Sequence, residues 1–328
     1  MTAFLKLIRV QNLIFLAFIQ LIMRQVILMP VLQKYGFEIS QNNIPIVLLI
    51  IATVFIAAGG YVLNDYFDVK IDRINNPDSV IVTNQISKKM AMTLHQVLTA
   101  IGILAGLSLA YLAASPTLAF IFIVIPGLLW FYSASYKRQF MIGNLAVAFM
   151  AAMSVLVVAI TEMAFLKKEY GDLLYETPIP GQVYGWLGGF ALFSFLTTWM
   201  REIIKDIQDE AGDREMECRT MPIKWGVKRT KVFIYILSII TIVLLYVANK
   251  LYINFEGNMT FSYITYGLVL PMLVMNYLVF MAKNPDGFKQ AANMAKFIML
   301  IGVLYAFVFY FLMAKTYGIS LFNLFIIK

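Results

Sequence analysis

Six aspartates fall into two matched sets. Asp65, Asp68 and Asp72 are followed by Arg73, and Asp206, Asp209 and Asp213 by Arg214. The spacing D-x2-D-x3-D-R thus occurs twice, 141 residues apart, as a weak internal repeat. At about 100° per residue, offsets of 0, 3 and 7 fall within about 60° of one another, so each set forms one stripe on a helix. Such a stripe is self-repulsive: like charges at this spacing cost some tenths of a kcal/mol per pair in water and more near a bilayer. A cation must offset it. Mg²⁺ suits the donor set, because it takes hard oxygen ligands and is commonly held by a few carboxylates plus substrate phosphates. Two such stripes face to face make a cradle for metal ions and one diphosphate. Ordinary solvated loops need no carboxylate periodicity, yet these two segments hold 11 of the 18 acidic residues.

The elements that must position them are membrane helices. Of 328 residues, 61% are hydrophobic and 13% charged, against about 45–50% and about 25% in soluble domains. Apolar runs long enough to cross a bilayer recur along the whole chain. Nine are expected, at 13–32, 44–62, 92–114, 118–136, 142–165, 183–203, 232–248, 261–282 and 297–314. The fold class is therefore all-α, a polytopic bundle in a single domain over 1–328 with a central groove and a polar site at one end. The first span is read as retained, since no small-residue cleavage site follows it. With the N-terminus inside, 19 of the 26 Lys and Arg fall in inner segments, which is the positive-inside pattern. It places the N-terminus and the aspartates on the cytoplasmic side of an inner membrane. The net charge of +8 is then mostly topological and does not call for a nucleic-acid partner. One cysteine, Cys218, excludes an intrachain disulfide.

NDYFDVKID, starting at Asn64, resembles the N-D-x-x-D-x-x-x-D motif of the UbiA superfamily of intramembrane prenyltransferases, and DEAGD at Asp209–Asp213 resembles its second D-x-x-x-D motif. REIIKDIQDEAGD, followed by RTMPI from Arg219, is similar to the branch that makes digeranylgeranylglyceryl phosphate. The resemblance implies that all six aspartates are catalytic, with Asn64, Asp65, Asp68, Asp72, Asp209 and Asp213 holding Mg²⁺. It implies a polyprenyl diphosphate donor, geranylgeranyl diphosphate in that branch, whose allylic C–O bond ionises so that the acceptor captures the prenyl carbocation. The motifs would lie at the membrane boundary because the substrate joins a polar diphosphate to a membrane-soluble tail.

The same resemblance marks Tyr132, Lys137 and Arg138 in WFYSASYKR as diphosphate contacts, although the tyrosine-to-lysine interval is one residue longer than usual; an aromatic belt with topogenic cations is the plain reading. Arg9 and Asn12 match an R-x-x-N beside the polar pocket, or form an ordinary anchor. Arg73, Arg214, Lys70, Arg201 and Lys205 are further candidates for diphosphate or acceptor head-group binding. One departure is NNPDSVIV, with Asp78 where the family often carries a cation. Arg24 is costly at its depth and is expected to pair inside the bundle. Glu162 reads as interfacial. His95, the only histidine, excludes a His-based metal site and reads as a packed side chain.

The expectation is a Mg²⁺-dependent prenyltransferase acting on membrane-associated substrates. The first choice of acceptor is a prenylglyceryl phosphate; the alternative is an aromatic acid of quinone biosynthesis, attacked through a ring carbon. An ion-coupled transporter would need its carboxylates near the bilayer midplane on broken helices, whereas these lie at helix ends.

Overall fold

The computed structural model of the chain describes residues 2–37, 43–75, 77, 80–253, 255–322 and 325–326. Asp78 lies outside the described residues. Nearly everything else is helix, as a chain without water must be to satisfy its own backbone. A short α1 (Thr2–Leu7) precedes α2 (Val10–Lys34), α3 (Ile44–Asn75), α4 (Lys88–Leu112), α5 (Pro116–Ala134), α6 (Ile142–Tyr170) and α7 (Ile179–Gln208). Two short helices, α8 (Glu210–Glu215) and α9 (Met221–Trp225), cross the polar end, and α10 (Val227–Leu251), α11 (Met259–Met281) and α12 (Pro285–Tyr317) complete the bundle. Residues Ser320–Leu321 and Phe325–Ile326 pair as a minimal antiparallel hairpin.

Among the described residues, eight helices are long and apolar enough to cross a membrane: α2 to α6 and α10 to α12. The ninth expected span, 183–203, lies within α7. Its 30 residues are long enough to cross, but Gly, Tyr, Trp, Ser and Thr dilute its apolar character. The reason is its position. α7 packs against α6, α10 and α12 and buries Leu187, Ala191 and Leu196 among them, so protein replaces lipid around it. The fourth span, expected to reach 136, stops at Ala134, because Ser135 leaves the helical region (φ −142°, ψ −52°) and Tyr136–Arg138 forms a 3-10 turn.

α3 and α4 pack along much of their lengths, and small residues permit it. A Cβ on Gly102 of α4 would stand 2.8 Å from the carbonyl oxygen of Ala52 and from the amide nitrogen of Ile56. Arg24 lies in a π-helical stretch, Met23–Leu28, inside α2. Its Nε donates to Glu162 Oε2 at 3.2 Å, with both side chains largely buried. The expected pairing of Arg24 is thus met, and Glu162, read as interfacial, is instead its partner within the bundle. Below this pair, buried Gln20 donates to the Ser154 carbonyl and accepts from Thr53. His95 is packed as expected, with Nδ1 3.0 Å from the Gly59 carbonyl and its ring against Trp130.

Candidate active site

The first motif forms because α3 does not stop at the end of its apolar run. It continues unbroken through Asn64, Asp65, Asp68 and Asp72 to Asn75, which puts the three carboxylates on one face as their spacing requires. The chain partly offsets this stripe itself. Arg9 sits in the left-handed region (φ 52°) between α1 and α2. From that break its Nη2 donates to Asp65 Oδ1 at 2.9 Å, while the guanidinium covers the Tyr61 ring. Asn12 Nδ2 donates to the Tyr61 hydroxyl at 3.4 Å. Asp68 accepts from Asn64 Nδ2 at 2.7 Å and forms an ion pair with Lys137. Lys137 also reaches Asn64 Oδ1 at 3.4 Å. Burial pushes its ammonium below the ordinary lysine range against the pull of Asp68. The 3-10 turn carrying Lys137 can lie this close only because residue 143 is glycine: a Cβ there would come within 2.7 Å of the Lys137 Cα. Asp72 lies in the fields of Asp68, Asp65, Arg9 and Lys137.

The second motif differs from its expected form. A single helical stripe over Asp206, Asp209 and Asp213 does not occur, because α7 ends at Asp209 (φ −96°, ψ 7°) and α8 restarts at Glu210. Asp206 stays on α7, where Asn144 Nδ2 of α6 donates to it at 2.9 Å. Asp209 stands at the break, and burial pushes its carboxyl upward against Lys205. Asp213 projects from α8. Burial, then Asp209 and Asp68, push its carboxyl up to about 6. Asp68 of one motif and Asp209 and Asp213 of the other therefore share one field, so the two motifs face each other as their chemistry demands.

Asn75 joins them. Its Nδ2 donates to the Asp209 carbonyl at 3.3 Å, and its Oδ1 accepts from the Gly212 amide at 2.9 Å. A Cβ on Gly212 would stand 2.6 Å from Asn75 Cγ. The loop after α8 is tied in as well, through the Arg219 amide and the Arg138 carbonyl at 2.8 Å. Tyr132 faces Glu202, Asp68, Asp206 and Arg9 from the end of α5. Arg138 Nε is buried with no partner among the described residues.

The expected cations divide. Arg9, Lys137 and Arg138 are at the carboxylates, and Arg201 and Lys205 lie beside them on α7, both bound to Glu202 at 2.5 and 3.3 Å. Arg73 instead donates to Thr83, and Arg214 pairs with Glu210 on the exposed side of α8. Lys70 points to solvent. Sequence reasoning missed Glu202, Asn75 and Asn144. Glu202 alone had a local signal, at i+3 before Lys205 on a helix.

The donor set fits a hard cation. It is all oxygen, and its carboxylates outnumber the cations that pair with them. Among the described residues no three of them converge into a closed cage. Mg²⁺ is commonly held by one or two carboxylates and completed by water and substrate phosphate oxygens.

Fold and site together define a polytopic helical membrane protein with its polar centre at one end of the bundle. The model of the UbiA prenyltransferase family matches residues 35–304. The chain is 28% identical over 309 residues to the digeranylgeranylglyceryl phosphate synthase of Methanosphaera stadtmanae, covering 94% of this chain and 97% of that one. It is 30% identical over 270 residues to the synthase of the same name from Methanobrevibacter smithii, covering 81% and 86%. Among solved structures, a UbiA homolog from Aeropyrum pernix K1 superposes with TM-score 0.62 at 15% identity over 88% of this chain and 97% of that one. A UbiA homolog from Archaeoglobus fulgidus bound to DMAPP and Mg²⁺ does so with TM-score 0.55 at 15% identity, over 93% and 99%. The chain belongs to the UbiA prenyltransferase family, and it is an enzyme of that class.

Proposed function

We propose that this enzyme catalyses Mg²⁺-dependent transfer of a polyprenyl group, geranylgeranyl in the first instance, from its diphosphate to the hydroxyl of a prenylglyceryl phosphate, giving an ether lipid. The observation that carries the reading is the facing pair of carboxylate motifs, clamped by Asn75 at the end of an apolar bundle. The names of the relatives above support the acceptor. When bound, Mg²⁺ supplies the charge that stabilises the departing diphosphate. Asp68, oriented by Asn64, and Asp209 and Asp213 across from it would hold the Mg²⁺ through which that end of the donor binds. Lys137, beside Asp68, and Arg138, with its Nε unpartnered among the described residues, would donate to diphosphate oxygens. The allylic C–O bond breaks with its electron pair leaving on the diphosphate, and the acceptor oxygen bonds to the allylic carbon as its proton is released. Lys6, Arg9 and the basic segments between spans support a site on the cytoplasmic side of an inner membrane.

The test is product formation by purified protein in detergent with geranylgeranyl diphosphate and Mg²⁺. Either geranylgeranylglyceryl phosphate or 4-hydroxybenzoate serves as acceptor, with Asp68→Ala and Asp209→Ala alongside. Magnesium-dependent prenylation of the glyceryl phosphate, reduced about a hundredfold or more in both variants, is expected. Transfer to the aromatic acid alone overturns the acceptor. Activity that survives both substitutions overturns the site.

A further inference from the structure

The hydrophobic core is one body at the end of the bundle away from the aspartates and two bodies at the end that carries them. On α3, Ala52 and Ile56 belong to the common core, whereas Ala58 and Val62 belong to a separate cluster with α1 and the loop after α3. On α7, Leu187 and Ala191 belong to the common core, whereas Met200 and Ile203 belong to a third cluster with α10 to α12. α12 divides in the same way between Ile298 and Tyr305. The core therefore forks, and each prong carries one aspartate motif, the first on α3 and the second on α7 and α8. What lies between the prongs is visible on α3. Among the described residues it has none exposed from Leu48 to Val69, yet Thr53, Ala57, Tyr61 and Asp65, four apart on one face, are only half-buried. An enclosed helix with an incompletely covered stripe borders a space inside the bundle.

Polar groups close the fork. Gln20 is fully buried and joins three helices there. Its Nε2 donates to the Ser154 carbonyl of α6, and its Oε1 accepts from the Thr53 hydroxyl of α3 at 2.9 Å. From the opposite wall, Phe193 of α7 fills the place that Gly302 of α12 leaves, where a Cβ would come within 2.2 Å of its ring. α2 changes at the same level: it is mostly half-buried or exposed from Val10 to Ile19 and mostly buried from Gln20 to Leu32. At 1.5 Å per residue, the layer stands about 18 Å from Asp65 along α3, about 15 Å from Asn144 along α6 and about 20 Å from Asp206 along α7. About a turn farther along α2 lies the Arg24–Glu162 ion pair. Anything forced past Gln20 meets two charges that an apolar core does not let separate cheaply. Four isoprene units in line have the same reach, roughly 19 Å at about 1.2 Å per bond of an extended chain.

We propose that Gln20, held by Thr53 and the Ser154 carbonyl, is the floor against which the donor's chain ends, and that it sets that chain at four isoprene units. The inference rests on the reading above, in which a prenyl diphosphate binds at the two aspartate motifs, and it assigns Gln20 and Ala57 as specificity-determining residues. Ala57 stands on the same face of α3 as Thr53 and about 6 Å nearer the aspartates, a step of about one isoprene unit. A larger side chain there raises the floor by that step, and a smaller one at Gln20 lowers it.

The experiment uses the full chain in detergent with Mg²⁺ and no acceptor, and measures binding of geranyl, farnesyl, geranylgeranyl and geranylfarnesyl diphosphates, which carry two to five isoprene units. In wild type each added unit is expected to tighten binding about tenfold or more up to geranylgeranyl. The fifth unit should weaken it about tenfold, as overfilling a packed site does. Ala57→Leu should weaken geranylgeranyl diphosphate about tenfold and leave farnesyl diphosphate within about twofold. Gln20→Ala should remove the penalty on the fifth unit; where that variant does not fold, Ala57→Leu, which leaves the hydrogen bonds of Gln20 in place, carries the test. Affinity that stays level or keeps rising through geranylfarnesyl diphosphate in wild type overturns the floor. So does Ala57→Leu that weakens all four donors alike or none, and so does folded Gln20→Ala that keeps the penalty. Wild-type protein that binds none of the four overturns the donor reading itself, and the floor with it.

Discussion

Removing the Asn75 amide tests whether the two motifs work as one site. Asn75→Ala deletes two hydrogen bonds, one to the Asp209 carbonyl and one from the Gly212 amide. At about 0.5–1.5 kcal/mol each, they contribute about 1–3 kcal/mol to holding α8 against the end of α3. α8 has six residues and is too short to keep its place by helix propensity alone. Asp213 rides on it, so the loss falls on the diphosphate seat rather than on the bundle. With tenfold per 1.4 kcal/mol, kcat/KM for the donor should drop about 10- to 100-fold, with a parallel rise in the Mg²⁺ concentration for half-maximal rate. Initial rates against donor and Mg²⁺, with thermal unfolding in the same detergent, read both. Gly212→Ala should reproduce the defect, since its Cβ would press on the Asn75 side chain. The double variant should be little worse than either single one, because both break one contact. A donor kcat/KM within about twofold of wild type in Asn75→Ala would refute the clamp, as would full additivity.

Other outcomes follow from the same geometry. With Asp213 at about 6, Mg²⁺ binding at that pH should expel a proton, and the release should fade by about two pH units higher. Calorimetry in two buffers of different ionisation heat detects it, and buffer-independent heats would rule it out. The sign for stability runs the other way. This carboxyl titrates higher folded than unfolded, so its contribution to the metal-free fold is complete below about 4 and is lost as pH rises through about 6. Arg24→Met strands the Glu162 carboxylate and should lower stability by about 3–5 kcal/mol, while Arg24→Met with Glu162→Leu should recover most of it; unfolding in detergent distinguishes the two. Gly102→Ala should cost about 1–3 kcal/mol, because two of the three atoms it meets, the Ala52 carbonyl oxygen and the Ile56 amide nitrogen, are backbone and cannot swing away. Retained thermal stability would contradict the packing of α3 on α4.

Much of the architecture was legible because lipid imposes one simple rule. Eight helices could be read from apolar length alone, and α7 was placed even though its glycines and aromatics weaken the same signal. The first aspartate stripe was legible because its helix is continuous, so spacing and face agree. The second was misread for the same reason: periodicity assumes an unbroken helix, and this one breaks at Asp209, whose carbonyl accepts from Asn75 instead. Asn75 meets Asp209 across 134 residues, and Asn144 meets Asp206 across 62. No local pattern encodes such pairs.

The length of α3 has a consequence for what becomes of the products. Its 32 residues make a rod of about 48 Å, whereas the hydrocarbon layer is about 30 Å thick. Counting from Ile44, that thickness is used up at about Asn64, where the first motif begins. The remaining turns stand in the aqueous margin. On the reading proposed above, cleavage at this height sorts its own products by phase. The by-product is born in water and diffuses away, while the doubly prenylated lipid never leaves oil. No transport step is needed, and a soluble phosphatase outside the bundle can draw the reaction forward without touching the enzyme.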